Sequence, residues 1–387
     1  MSATAAGGPS TSSGRRPTRA VVDAVGWSSV LLPAIPLAVL LDVLGAGPAL
    51  LFFVAAAGVV PTAAVIGRAT EELADRAGPG IGGLINVTFG NAPEIIISLF
   101  ALNSGLQEVV KASLIGSILS NVLLVLGSAM LVGGLGRERQ RFDRTATSAQ
   151  SLMLLLAVAA LVMPAIFELV RGAHLPGVHA ERVHLDASVQ HLSVAVALVL
   201  MVTYGLGLVF SLKTHRDLFN PPAAGATDDE DDDGSWSVRT AVLVLAGAGL
   251  TVAGLSEILV SSISDAAKSI GLSEFFIAMI VVAIVGNAAE HWVAVTVARK
   301  GKMDLAVGIA IGSSTQIALF AVPVVVLASF VIGPAPMPFV LNGFELGATA
   351  IAVLVAAHVT ANGESTWFEG VQLLAVYVVL ALTFGFA

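Results

Sequence analysis

Gly90-Asn91-Ala92-Pro93-Glu94 and Gly286-Asn287-Ala288-Ala289-Glu290 are two copies of one pattern, 196 residues apart. Each lies inside an apolar stretch long enough to cross a membrane. The match extends further. Gly116-Ser117-Ile118-Leu119-Ser120-Asn121 begins 22 residues after Glu94, and Gly312-Ser313-Ser314-Thr315-Gln316 begins 22 residues after Glu290, so the spacing of 196 is kept. Two motifs that keep one spacing indicate a duplicated fold. A carboxylate at membrane depth is costly and is normally kept for a function. Two of them at equivalent positions point to one shared cation site.

The surrounding composition is that of a polytopic, all-α membrane protein. Of 387 residues, 56% are hydrophobic and 12% charged, against about 25% charged in soluble domains. Apolar segments fall near 25–45, 48–67, 81–104, 108–133, 146–170, 188–212, 237–264, 274–298, 304–331, 338–358 and 367–386, eleven in all. Residues 1–24 read as a flexible tail without the apolar core of a secretory signal. With the N-terminus cytoplasmic and the C-terminus outside, fifteen of the nineteen Lys and Arg face the cytoplasm; only Lys111, Arg171, Arg182 and Lys268 face outward. That bias obeys the positive-inside rule.

The motif-bearing segments are the third and eighth. Five crossings separate them, so the two copies enter the membrane in opposite directions. The expected plan is two inverted five-helix repeats, at 46–212 and 237–387, plus an extra first helix at 25–45. Inverted repeats with a midplane site are a common transporter arrangement. Residues 213–236 form the linker, with an acidic run at 228–233. No basic stripe exists for nucleic acid. The absence of cysteine excludes thiolate chemistry.

Glu94 and Glu290 are the expected cation and proton ligands. Facing each other across a pseudo-two-fold axis, they can neutralise one divalent cation. Hard cations such as Ca²⁺ take about six to eight oxygens. Asn91, Asn287, Ser117, Ser120, Asn121, Ser313 and Gln316 offer side-chain oxygens. Gly90 and Gly286 allow local unwinding that frees backbone carbonyls. With the cation absent, desolvation and mutual repulsion favour protonation of the glutamates, which makes cation and proton mutually exclusive. No Arg or Lys lies near the middle of a segment to serve as a structural partner.

His291 is a candidate proton relay. Glu257, Glu71 and Glu72 are candidates for gating or an entry vestibule, although a solvated position accounts for Glu71 and Glu72 equally well. Glu345 and Asp42 lie in apolar surroundings without a motif and take no role. His174, His179, His184 and His191, with Glu181 and Asp186, match no standard metal signature and read as a solvated outer loop.

The chain resembles the calcium/proton exchanger family of the cation/calcium exchanger superfamily. The resemblance rests on Gly82 to Glu94, on Ala283 to His291, on Gly312-Ser313-Ser314-Thr315-Gln316-Ile317-Ala318, on Thr70-Glu71-Glu72-Leu73-Ala74 and on the acidic linker. It implies eleven helices, alternating access, and Ca²⁺ exported against H⁺ entry at Glu94 and Glu290, with the flanking Asn, Ser and Gln residues as helpers. Pro93 stands where Thr is usual in the proton exchangers, and it resembles the sodium/calcium branch; His291 and Gln316 point to protons. Sodium coupling and a divalent cation channel stay open as alternatives. An enzyme has no motif here and no cofactor is implied beyond the transported ions. The high Ala, Gly and Val content fits a bacterial plasma membrane.

Overall fold

The computed structural model describes residues 26–178, 186–214 and 236–387. The tail at 1–24, the acidic run at 228–233, and His179, Glu181 and His184 lie outside these residues. Among the described residues, ten helices are long and apolar enough to cross a membrane, and a bent pair supplies an eleventh. They are α1 (Gly26–Val43), α2 (Pro48–Ala77), α3 (Leu84–Gly90 with Ala92–Asn103), α4 (Gln107–Gly134), α5 (Arg144–Val170), α6 (Ala187–Val209), α7 (Val238–Ile270), α8 (Glu274–Arg299), α9 (Met303–Ala328), α10 (Gly343–Thr360) and α11 (Trp367–Gly385). Every apolar segment of the sequence has its helix.

α2 runs into α3 without losing helical backbone between Pro48 and Gly90. A straight helix of that length would span roughly 65 Å at 1.5 Å per residue, about twice a hydrocarbon core. The chain turns back instead. A Cβ on Gly82 would stand 2.2 Å from the carbonyl oxygen of Ala74, a residue that a straight helix would hold about 12 Å away. Only glycine fits that approach.

Burial separates the helices into a centre and a rim. The apolar stretch of α4 is 78% buried and that of α9 is 72% buried, against 11% in α1 and 22% in α6 and α11. The motif following each glutamate therefore sits on a central helix. The rim helices present Val30, Leu40, Leu198, Val202, Leu243, Leu250 and Leu382 outward, the apolar coat a bilayer requires. α2 and α7 pack against each other through clusters of their own: Val65 and Ile66 against Ala248 and Val252, and Ala69 against Trp236 and Ala241.

Small residues allow the closest crossings, as is usual between membrane helices. Gly370 of α11 meets Gly127 of α4 so closely that a Cβ on Gly370 would lie 2.5 Å from the Gly127 carbonyl oxygen and 2.5 Å from the Leu131 nitrogen. On the face reached by α4, α10 and the starts of α5 and α11, a two-residue strand β1 (Gln140–Arg141) pairs antiparallel with β2 (Glu364–Ser365). Glu364 accepts from Arg139 at 2.8 Å and pairs with Arg141 at 3.2 Å. The Arg139 hydrogen bond, with the charge of both arginines, holds its carboxyl below the usual range. This pairing is complete above the ordinary carboxylate range and is lost only as pH falls through the lowered value. On the opposite face Arg171 bridges to Asp186 at 2.9 Å, joining the end of α5 to the start of α6.

Lys111 departs from the sequence expectation. It does not face the outer solution but is buried, 2.5 Å from Glu108 and donating to the Val340 carbonyl at 3.0 Å. Glu345 lies in the same region, fully buried at the first turn of α10, where it and Asn342 cap each other reciprocally. These residues bind α4 to the start of α10. Asp42 is exposed near the end of α1.

Gly370→Ala is expected to cost about 1–3 kcal/mol through overpacking against backbone atoms. Gly247→Ala, where nothing lies within 4 Å of the added Cβ, should not lower stability. Thermal unfolding in detergent, read by loss of the monodisperse protein, separates the two.

Candidate cation site

The two copies of the motif solve the helix differently. In the first, α3 breaks at Asn91 (φ −94, ψ 17) and bends by 46°. Pro93 is the cause: it has no N–H to return to the preceding turn and its ring crowds that turn. In the second copy Ala288 and Ala289 replace Ala92 and Pro93, and Ala283–Arg299 is one unbroken helix. Gly286 does not unwind as the sequence led us to expect. The irregular backbone of α8 lies earlier, in a π-helical stretch at Ile277–Val282. Two further π segments lie at the second motif of each half: Ser120–Val125 in α4 begins within it, and Ile317–Ala321 in α9 begins just after Gln316. Such segments cluster at functional sites.

Glu94 and Glu290 line one cavity of about 1140 Å³. Gly90, Gly286, Ser313, Gln316 and Glu71 line it as well. Glu94 is buried and Glu290 half-buried. Ser313 donates a hydrogen bond to Oε2 of Glu290. The Glu94 carboxylate rests on Gly286: a Cβ there would stand 3.1 Å from its Oε1. Among the described residues neither glutamate belongs to an ion pair with Lys or Arg. The cavity also reaches Arg68, Arg141, Asp143 and Asp304, and so opens on the face that carries the β1–β2 pair.

The two motif asparagines bind the opposite half. Asn91 donates to Oε1 of Gln316 on α9 at 2.9 Å. Asn287 donates to Oγ of Ser117 on α4 at 2.9 Å and to its own helix at Ala283. His291 reaches Asn121 on α4 at 3.1 Å. Of the expected ligands, Ser120 turns inward to the Ser117 carbonyl at 3.1 Å, and Asn121 is engaged with His291. Neither lines the cavity. Both asparagines and His291 therefore hold the glutamate-bearing helices in place.

The three gating candidates separate. Glu71 lines the cavity mouth, 3.8 Å from Arg68. Glu72 is buried and structural: it accepts from Arg68 at 2.5 Å and from the Trp236 backbone N–H at 3.1 Å, tying α2 to the start of α7. Glu257 is exposed on α7 and lines none of the cavity. No group of three His, Cys, Asp or Glu converges among the described residues. A cation held by the two glutamates would have to complete its shell with hydroxyl, amide or backbone oxygens and water, the neutral donors that Ser313 and Gln316 provide.

The sequence profile described as sodium/calcium exchanger protein matches residues 47–213 and 240–386. A Ca²⁺/H⁺ antiporter of Aphanothece halophytica is 43% identical over 349 residues, covering 87% of this chain and 90% of that one. The Ca²⁺/H⁺ antiporter ChaA of Bacillus subtilis is 43% identical over 351 residues, covering 90% and 96%. The solved structure of native YfkE superposes with a TM-score of 0.76 at 38% identity, covering 93% of this chain and all of that one. The chain belongs to the sodium/calcium exchanger protein family.

Gly286→Ala should push the Glu94 carboxylate by a few tenths of an ångström and weaken cation binding by roughly tenfold, since small misplacements at a site are costly. Gly90→Ala, with nothing within 4 Å, should bind as the wild type does. Titration of Ca²⁺ against intrinsic Trp fluorescence reads both; Trp27 and Trp292 both line the cavity.

Proposed function

We propose that this protein is a secondary antiporter that exports Ca²⁺ from the cytoplasm in exchange for H⁺, with Glu94 and Glu290 as the shared site. The observation that carries the reading is that two glutamates from symmetry-related motifs line one cavity of about 1140 Å³, with no Lys or Arg paired to either among the described residues. Uncompensated charge at membrane depth is unstable. The pair must therefore be neutralised by a divalent cation or by protons. One site that holds either but not both is the requirement for exchange. The curated relatives named above are Ca²⁺/H⁺ antiporters, which supports protons as the coupling ion.

The repeats at 46–212 and 237–387 cross the membrane in opposite senses, joined by the linker at 213–236. With the N-terminus cytoplasmic and the C-terminus outside, the open cavity faces the cytoplasm. Ca²⁺ enters past Glu71 and the Arg68 side chain and displaces protons from Glu94 and Glu290. Ser313 and Gln316 supply neutral oxygens, and Asn91, Asn287 and His291 keep the two motif helices in register. α2 and α7, packed on each other through their own clusters, form the element that rocks against the α4–α9 centre. On the far side of the glutamates the path is closed, which favours an exchanger over a channel. The host membrane is a bacterial plasma membrane.

Glu94→Gln and Glu290→Gln are each expected to reduce exchange to background while leaving the protein folded. The measurement is Ca²⁺ uptake into sodium-free proteoliposomes with an imposed pH gradient, internal pH being read by a dye. Wild-type uptake that appears only with a sodium gradient would replace the proton as partner ion. Exchange at the wild-type rate in either variant would remove the two-glutamate site.

A further inference from the structure

α5 and α9 enter the membrane side by side at the mouth of the open cavity. The Asp143 N–H, at the start of α5, donates to Oδ1 of Asp304, at the start of α9, at 2.5 Å. Both helices run inward from that bond, so residues equally far along from it stand at about equal depth. Along α9 the cavity wall after Asp304 is Leu305, Gly308, Ile309 and Gly312, until Ser313 reaches Glu290. None of these four has a side-chain oxygen. A Cβ added to Gly308 or Gly312 would have nothing within 4 Å, so this wall is bare helix, its backbone groups committed to helical hydrogen bonds.

α5 supplies what α9 lacks. Asp143, Ala146, Thr147 and Gln150 line the same cavity, at spacings of three, four and seven residues that make one helix face. Gln150 is seven residues beyond Asp143, and Gly312 is eight beyond Asp304. At 1.5 Å per residue these lie about 10 and 12 Å in from the mouth. The Gln150 carboxamide therefore springs from the depth of Gly312, beside Ser313 and Glu290. It is half-buried and makes no hydrogen bond to another described residue. Its neighbour Ser151 points elsewhere, to Thr360 on α10 at 3.3 Å. Gln316, the amide of the repeated motif, already accepts from Asn91 at its oxygen. The Gln150 oxygen keeps both of its acceptor positions for the cavity.

We propose that Gln150 is a further cation ligand of the site, contributed by a helix outside the duplicated motifs. Its carboxamide oxygen replaces one water on an incoming divalent cation. The ion is held there, still partly hydrated, at the depth of Gly312 before it reaches Glu290 and Glu94. This step suits Ca²⁺, whose shell of about six to eight oxygens is adaptable, more than Mg²⁺, which demands octahedral geometry and gives up water reluctantly. Gln150 thus contributes to the choice between the two ions. The inference rests on the cation site of the exchange reading and adds a ligand to it.

Isothermal titration of Ca²⁺ and of Mg²⁺ into the full chain in detergent tests the assignment without any gradient. Gln150→Leu removes the oxygen and keeps most of the side-chain volume. It should weaken Ca²⁺ binding roughly fivefold to tenfold, the scale of one lost contact to a charged partner. Mg²⁺ binding should weaken by less than about twofold, because the ion keeps its waters. Gln150→Glu retains an oxygen at the same reach and should bind Ca²⁺ at least as tightly as the wild type. A packing role predicts the reverse order, since Leu fills the space and a carboxylate adds charge. Gln150→Ala repeats the loss of the oxygen should Leu disturb the fold. In proteoliposomes Gln150→Leu should raise KM for Ca²⁺ more than it lowers kcat, the mark of a lost binding contact. Wild-type Ca²⁺ affinity in both Gln150→Leu and Gln150→Ala overturns the ligand, and equal losses for Ca²⁺ and Mg²⁺ overturn its part in selectivity. Exchange by the wild type in the same vesicles decides the functional reading separately: a wild type that binds Ca²⁺ without exchanging it for protons condemns that reading and leaves the titration standing.

Discussion

Two carboxylates at membrane depth are the constraint on which the rest depends. Neither Glu94 nor Glu290 has a Lys or Arg partner among the described residues, although the fold does pair charges where structure demands it. Lys111 with Glu108, and Arg68 with Glu72, are tight ion pairs within one helix, from which Lys111 and Glu72 each reach a backbone group of another element. The contrast identifies two uses of buried charge in one chain. In the first the partner is a side chain and the charge is settled for good. In the second, among the described residues, no Lys or Arg pairs with the carboxylate, and Glu290 accepts from the neutral Ser313 hydroxyl.

The cavity around the glutamates is kept in shape by neutral hydrogen bonds. Asn91 to Gln316 and Asn287 to Ser117 each cross from one half of the chain to the other. An amide can bind a hydroxyl or another amide without adding charge, so these contacts fix the glutamate helices without placing a charge beside Glu94 or Glu290. His291 to Asn121 adds a third crossing of the same kind. Two helices that belong to different halves are thus held one turn from each glutamate, and a cavity open to solvent still has defined walls.

The sequence disclosed the plan more fully than the details. Eleven apolar segments and the shared spacing of Gly90–Glu94 with Gly286–Glu290, and of Ser117 with Ser313, were sufficient for the topology and for placing both glutamates on one cavity. Hydropathy and spacing report one helix at a time, and they could not report contacts between helices. Lys111 looked like an outer-surface residue because it stands at a segment end, yet its partner Glu108 is only three residues away, a helical spacing that was legible. Glu72 appeared interchangeable with Glu71, but a rotation of 100° along the helix turns one to the cavity and the other to Trp236. Ser117, Ser120 and Asn121 share one motif, yet Ser117 and Asn121 both face α8, where they meet Asn287 and His291, and Ser120 turns back to the Ser117 carbonyl, so none of the three lines the open cavity.

The duplication is imperfect around the two glutamates. A perfectly symmetric pair of repeats would place equivalent backbone in equivalent surroundings on both sides of the site. Here Pro93 breaks α3 while Ala289 leaves α8 continuous, and Gly116 is pressed onto α8 while its counterpart Gly312 has nothing within 4 Å of an added Cβ. The seal between α4 and α8 is made by a glycine against a carbonyl, backbone to backbone, without a side chain that would have to be withdrawn. Such a contact loses little when it parts, because few apolar atoms are exposed and no ion pair is broken.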